Sequence, residues 1–209
     1  MSHSQFINQL KSKLSFPTLH KGIQPQWRKI NHNISSTGDT NTSNYKPAAV
    51  LILLFPKNNS IHFCLTKRTN TVEHHKGQIS FPGGSKEAGE TIRETALRET
   101  HEELGVKLSS DSIIGSLTPF NIPVSKFQIY PFIAWSDSLP KISPDPQEVE
   151  QVFSPNLSSL SDNSICFTEA RQYNGTTYKS PYYTYQEGKV WGATALILTE
   201  LKYTIEEFK

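Results

Sequence analysis

The sequence predicts an α+β fold of the α/β/α sandwich kind, a mixed β-sheet between helices, and three observations carry that expectation. Residues 48–55 are an unbroken apolar run of strand length, the pattern of a strand buried on both faces. Residues 91–105 carry the start and stop signals of one helix. Strand-like segments flank that helix on both sides, and a further apolar helix, 193–201, follows near the end. A chain of 209 residues favours one main domain, and the boundary is placed so that 1–46 hold an N-terminal helix and linker and 47–209 the domain itself.

Taken in order, residues 4–14 set Phe6, Ile7, Leu10 and Leu14 on one side of a short helix. The Ser, Thr and Asn run at 35–44 reads as a flexible linker. After the strand 48–55, Lys57-Asn58-Asn59-Ser60 makes a turn, and 61–68 returns as a second strand paired to the first. A short strand, 78–81, runs into Pro82-Gly83-Gly84. Beyond the central helix, 112–120 and 127–135 are strands, 140–146 a proline-spaced loop, and 148–153 and 156–160 short helical pieces. Residues 165–171 and 178–185 form a hairpin turning at Asn174-Gly175, and Val190-Trp191-Gly192 leads into the last helix.

Composition excludes several functions. The net charge is +2 and no basic run exceeds Lys67-Arg68, so no broad nucleic-acid-binding face is expected. The run 48–55 is too short to cross a bilayer, and the first residues lack the apolar stretch of a secretory signal. Cys64 and Cys166 lie in strand-like segments and suit reduced thiols. A soluble, cytoplasmic protein is the expectation.

The chemistry concentrates between Gly84 and Val106. Thr91 is an N-cap with Glu94 three residues on, a capping box, and Gly105 sits at the C-terminal stop, where φ > 0 is usual. On that helix Glu99, Glu102 and Glu103 stand at i, i+3 and i+4, within an arc of roughly 100°. Three carboxylates on one face repel one another unless a cation joins them, and all-oxygen ligands suit Mg²⁺ or Mn²⁺. Arg98 can bridge one turn either way, to Glu94 and Glu102. Gly83-Gly84 lets backbone approach the ion where a Cβ would obstruct.

Gly84, five residues, Glu90, seven residues, Arg98-Glu99, two residues, Glu102-Glu103, one residue, Gly105-Val106: this spacing resembles the Nudix box of the Nudix hydrolase superfamily. Thr100 stands where an aliphatic residue is usual, and can bond back to a carbonyl in the preceding turn. The resemblance implies a Nudix domain and metal-dependent hydrolysis of a nucleoside diphosphate linked to another group. Glu99, Glu102, Glu103 and Gly84 are the expected metal residues, and Glu102 or Glu148 the base, with Glu150 a further candidate acid. Arg98 joins the catalytic set as a brace, whereas Glu90, Gly83 and Gly105 are structural.

Upstream, Leu65, Thr66, Arg68, Gly77 and Phe81-Pro82-Gly83-Gly84 resemble the signature of the coenzyme A pyrophosphatase branch, and Val190-Trp191-Gly192-Ala193-Thr194 adds a weaker likeness. Thr69 replaces a usual Ser or Ala there, and Glu73 replaces a usual Arg. The resemblance implies cleavage of coenzyme A to 3′,5′-ADP and 4′-phosphopantetheine. Arg68, Lys67 and His75 are the expected substrate contacts, and Arg68 is favoured over Lys67 because it shares strand parity with Thr66. The reversal at Glu73 keeps open a diphosphatase for ADP-ribose or NADH. A non-catalytic nucleotide-binding module and cleansing of oxidised nucleoside triphosphates are weaker alternatives. The partner is a small nucleotide, with neither nucleic acid nor membrane, and homodimers are common in the superfamily.

Overall fold

A computed structural model describes residues 2–15, 45–69, 77–173 and 175–206 of the chain. Its first elements are α1 (His3–Leu14), β1 (Lys46–Lys57), β2 (Ser60–Phe63), β3 (Leu65–Arg68), β4 (Ile79–Ser80) and β5 (Gly83–Ser85). Then come α2 (Ile92–Leu104), β6 (Ile113–Ser116), β7 (Phe120–Ile122), β8 (Phe127–Trp135) and β9 (Val149–Phe153). The hairpin strands β10 (Cys166–Tyr173) and β11 (Thr176–Tyr185), the short β12 (Gly188–Val190) and α3 (Gly192–Glu206) complete it.

β1 is the spine. Ala49, Leu51, Leu53 and Phe55 point into one core with Ala96 and Leu104 of α2. Ala48, Ile52 and Leu54 point into the other, with Ile7 and Leu10 of α1 and Ile197, Leu198 and Leu201 of α3. The sheet around β1 runs in the order β2-β1-β8-β6, with β1 parallel to β8 and antiparallel to β2 and β5. A mixed sheet lies between helical layers, as expected.

Details differ where tertiary pairing overrides local pattern. Residues 61–68 are not one strand: the chain breaks at Cys64, so β2 pairs β1 while β3 pairs β4 and β9 in a separate three-stranded sheet. The first pairing turns tightly at Asn58 and Asn59, both at positive φ (50° and 61°). Residues 148–153, expected to be helical, contain β9 instead. Val149, Val152 and Phe153 sit at i, i+3 and i+4, which imitates a helix, but the segment is held by antiparallel pairing to β3 with a bulge at Lys67/Arg68. The strand expected over 112–120 divides into β6 and the start of β7, and the piece expected at 156–160 is a 3₁₀ turn, Leu157–Ser161. The run 35–44 and the turn residue Asn174 lie outside the described residues. Cys64 and Cys166 are free, and burial pushes the Cys64 thiol up to about 12.

Candidate active site

α2 is fixed at both ends by its own sequence. The Thr91 hydroxyl accepts from the Glu94 amide at 3.2 Å, and the Glu94 carboxylate accepts from the Thr91 amide at 2.7 Å. Gly105 closes the helix at φ 68°, and a Cβ there would come within 2.8 Å of the Ser143 carbonyl. Thr100 is fully buried and donates to the Ala96 carbonyl at 2.7 Å, so the Thr in the aliphatic position satisfies itself.

The inner acids are Glu99 and Glu103. Glu103 is only 2 % exposed, yet its partners are distant: the Gly83 amide and Thr66 hydroxyl at 3.4 Å each, and the Arg68 guanidinium at 3.7 Å. Burial pushes its carboxyl up to about 7, against the Gly83 hydrogen bond and the Arg68 charge. Burial likewise raises Glu99, opposed by Arg98. Gly84 faces Glu99 so closely that a Cβ would lie 2.5 Å from its Oε1. At Gly83 a Cβ would strike the Ala49 carbonyl of β1.

Glu102 does not join them. It is half exposed and bound to Arg98 at 2.8 Å, one turn back. Among the described residues no three His, Cys, Asp or Glu side chains are gathered as a ready metal cluster. The expected set of three therefore resolves into a pair beside the Gly83-Gly84 turn and a more exposed acid, Glu102, with Arg98 bonded to both Glu99 and Glu102. The pair nonetheless fits a divalent cation. The buried, under-bonded Glu103 and the half-buried Glu99 face a glycine turn with no side chain, and the donors are hard oxygens.

Arg98 braces the outer side. It grips Glu90 through Nε and Nη2 at 3.0 Å each, Glu99 and Glu102 through Nη1 at 3.0 and 2.8 Å, and the Ser85 carbonyl at 3.1 Å. Glu94, expected as an Arg98 partner, is instead engaged in the capping box. Glu90 also accepts from the Glu87 amide and the Thr95 hydroxyl, each at 2.8 Å. These bonds, that from Arg98 foremost, hold its carboxyl at about 2.

Strand parity sorts the two cations. Arg68 turns with Thr66 toward Glu103 and reaches Glu148 at 3.5 Å, whereas Lys67 turns away to pair with Glu150 at 2.7 Å. Glu148 is half exposed and close enough for its charge to raise both Glu99 and Glu103. Backbone bonds rivet its loop: Ser143 and Asp145 amides donate to the Leu104 and Glu103 carbonyls, and the Thr69 amide donates to the Glu148 carbonyl at 2.9 Å. Sequence reasoning gave no role to Thr66 as a Glu103 partner or to Thr69, whose hydroxyl also donates to the Gln147 carbonyl at 2.9 Å. The parity argument used for Arg68 could have found Thr66; the Thr69 contact spans 78 residues and left no local trace. His75 and Glu73 lie outside the described residues.

The family described as NUDIX domain matches residues 45–165. Nudix hydrolase 15, mitochondrial, of Arabidopsis thaliana is 34% identical over 161 residues, 73% of this chain and 56% of that protein. The human mitochondrial coenzyme A diphosphatase NUDT8 is 32% identical over 155 residues, 72% of this chain and 65% of that protein. An uncharacterized Nudix hydrolase NudL of Enterobacter sp. (strain 638) is 33% identical over 163 residues, 78% and 84% of the two chains. The chain belongs to the Nudix hydrolases, a family of enzymes acting on phosphoric anhydride bonds and generally needing divalent metal ions. It spans little more than half of the plant relative. Two of these relatives are named as mitochondrial, so they do not support the cytoplasmic expectation. No described helix is long and apolar enough to cross a membrane.

Proposed function

We propose that the chain is a Mg²⁺- or Mn²⁺-dependent diphosphatase that cleaves coenzyme A or its derivatives to 3′,5′-ADP and 4′-phosphopantetheine. The observation that carries the reaction is the buried, under-bonded Glu103 beside the half-buried Glu99, both facing the Gly83-Gly84 turn. The substrate reading rests on the Leu65–Gly84 resemblance and on relatives named as coenzyme A diphosphatases. Glu99, Glu103 and the Gly84 backbone would hold the divalent ion, with Glu102 joining on release from Arg98. When bound, such an ion polarises a phosphoryl oxygen and acidifies water.

The protein's own groups supply the rest. Glu148 takes the proton from the attacking water, being half exposed and fixed by its loop beside Glu99 and Glu103. Arg68 holds a phosphate oxygen, for which its loose contacts at 3.5 and 3.7 Å leave it available. Arg98 positions Glu99 and touches no substrate, its guanidinium being consumed by Glu90, Glu99, Glu102 and Ser85. Water oxygen bonds to one phosphorus, the bridging oxygen leaves with the other, and two phosphorylated products result.

A substrate panel with product identification by mass spectrometry, run with each divalent ion, tests the proposal. Coenzyme A should exceed ADP-ribose and NADH in kcat/KM. The opposite order would move the chain to the second reading, a diphosphatase of those nucleotides, which Glu73 in place of Arg favours.

A further inference from the structure

The outer face of the β10-β11-β12 sheet carries an aromatic and cationic strip that the reaction described above leaves unused. Its registers pair Phe167 with Tyr182, Glu169 with Ser180, Arg171 with Tyr178 and Lys189 with Thr184, which puts all of these on one face. The alternate residues Tyr183 and Val190 enter the core on the other side. On the outer face the rings of Phe167 and Tyr182 stack at 5.4 Å, Lys189 lies 4.0 Å over Tyr182, and Arg171 lies 4.8 Å over Trp191. One acid, Glu169, pairs with both cations, at 2.7 Å to Arg171 and 2.6 Å to Lys189. Two positive charges against one leave the strip an anion-attracting surface, and Phe167 (41 %) and Trp191 (36 %) are large aromatic side chains left open to solvent.

The strip adjoins the sheet that carries Arg68. β12 lies beside β4, where a Cβ on Gly188 would come within 3.3 Å of Ile79 Cδ1. Ile79 and Val190 share one core, and β4 pairs with β3, whose Thr66 and Arg68 face Glu103. A base stacks on any exposed ring face, and a neighbouring cation takes up the phosphate attached to it.

We propose that this face, centred on Trp191 and Tyr182 with Arg171 and Lys189, binds the phosphorylated adenosine half of the substrate. The base occupies a ring now covered by a cation, and the displaced Arg171 or Lys189 engages the ribose phosphate. The assignment rests on the coenzyme A reading for its ligand, because that substrate carries an extra phosphate on its adenosine.

The test is binding of 3′,5′-ADP to metal-free full-length protein by calorimetry and by intrinsic tryptophan fluorescence, for the wild type, Trp191→Ala, Trp191→Phe and Lys189→Ala. The expected result is binding that weakens about tenfold or more in Trp191→Ala and several-fold in Lys189→Ala, and largely survives in Trp191→Phe. In the metal-loaded enzyme, Trp191→Ala should raise KM for coenzyme A with kcat little changed. Unchanged 3′,5′-ADP affinity in a folded Trp191→Ala or Lys189→Ala protein overturns the assignment. So does a change in oligomeric state on size exclusion in either variant with nucleotide affinity intact, which would make the face a self-association surface. Wild-type protein that binds 3′,5′-ADP through Trp191 but does not hydrolyse coenzyme A would defeat the proposed reaction and leave this face standing.

Discussion

Two groups of acids lie on and around one helix and have opposite electrostatic fates. Glu90, outside, has hydrogen bonds at 2.8 to 3.0 Å from Arg98, Thr95 and Glu87, and its carboxyl is held at about 2. Glu103, inside, is more deeply buried, has its nearest partners at 3.4 Å, and its carboxyl rises to about 7. The same residue type is thus a finished brace on one side and an unfinished coordination sphere on the other. Spare bonding capacity in a buried carboxylate, rather than the number of acids nearby, separates a site from a scaffold.

The strongest break of this comparison is charge removal inside. Glu99→Gln and Glu103→Gln should each cut kcat with Mg²⁺ by about two to three orders of magnitude or more with the fold intact; near-wild-type turnover would refute their role as ligands. Glu103→Gln should at the same time make the metal-free protein more stable near pH 8. A carboxyl raised from 4.5 to about 7 carries a folding penalty that is absent below 4.5 and complete above 7, and urea unfolding with and without the substitution reads it. Next, Glu148→Gln should lower kcat about 10²- to 10⁴-fold, whereas a larger loss in Glu102→Gln would transfer the base to Glu102. Gly84→Ala, whose methyl would displace the Glu99 carboxylate, should cost about 10²-fold in kcat with little change in melting temperature. The smallest effect falls outside: Glu90→Gln should lose on the order of 2 kcal/mol at pH 7, after allowance for its polar surroundings. Because the Glu90 carboxyl is depressed from 4.5 to about 2, that difference is full above 4.5 and disappears as pH falls through 2. A difference that persisted at the acid end would contradict the Arg98 pairing as its source.

What could be read from sequence alone was whatever is written within one or two turns of the chain. The ends of α2 were legible because Thr91, Glu94 and Gly105 act on their own backbone. The choice between Lys67 and Arg68 was legible because alternation along a strand needs no partner. Val149–Phe153 was misread because its apolar spacing is helical and its strand state is dictated by β3, more than 80 residues earlier. The fate of Glu102 was illegible for a subtler reason. Spacing places three acids on a face, but Arg98 holds Glu99 and Glu102 through one nitrogen while Glu90 takes the other end, and the burial that sets Glu102 apart is not written in the spacing. The docking of 143–148 onto the end of α2, which fixes Glu148, is built from backbone groups that every sequence possesses.

The paired glycines at 83 and 84 are also a constraint on inheritance. A single base change in a glycine codon that alters the residue always brings in a β-carbon. At position 83 that atom runs into the main chain of the central strand, so every such variant should vanish from the pool of folded protein. At position 84 it meets a carboxylate on a side chain that can swing aside, so the variants should persist as abundant but idle molecules. Neighbouring codons would then be purged for different reasons, one by loss of protein and one by loss of chemistry.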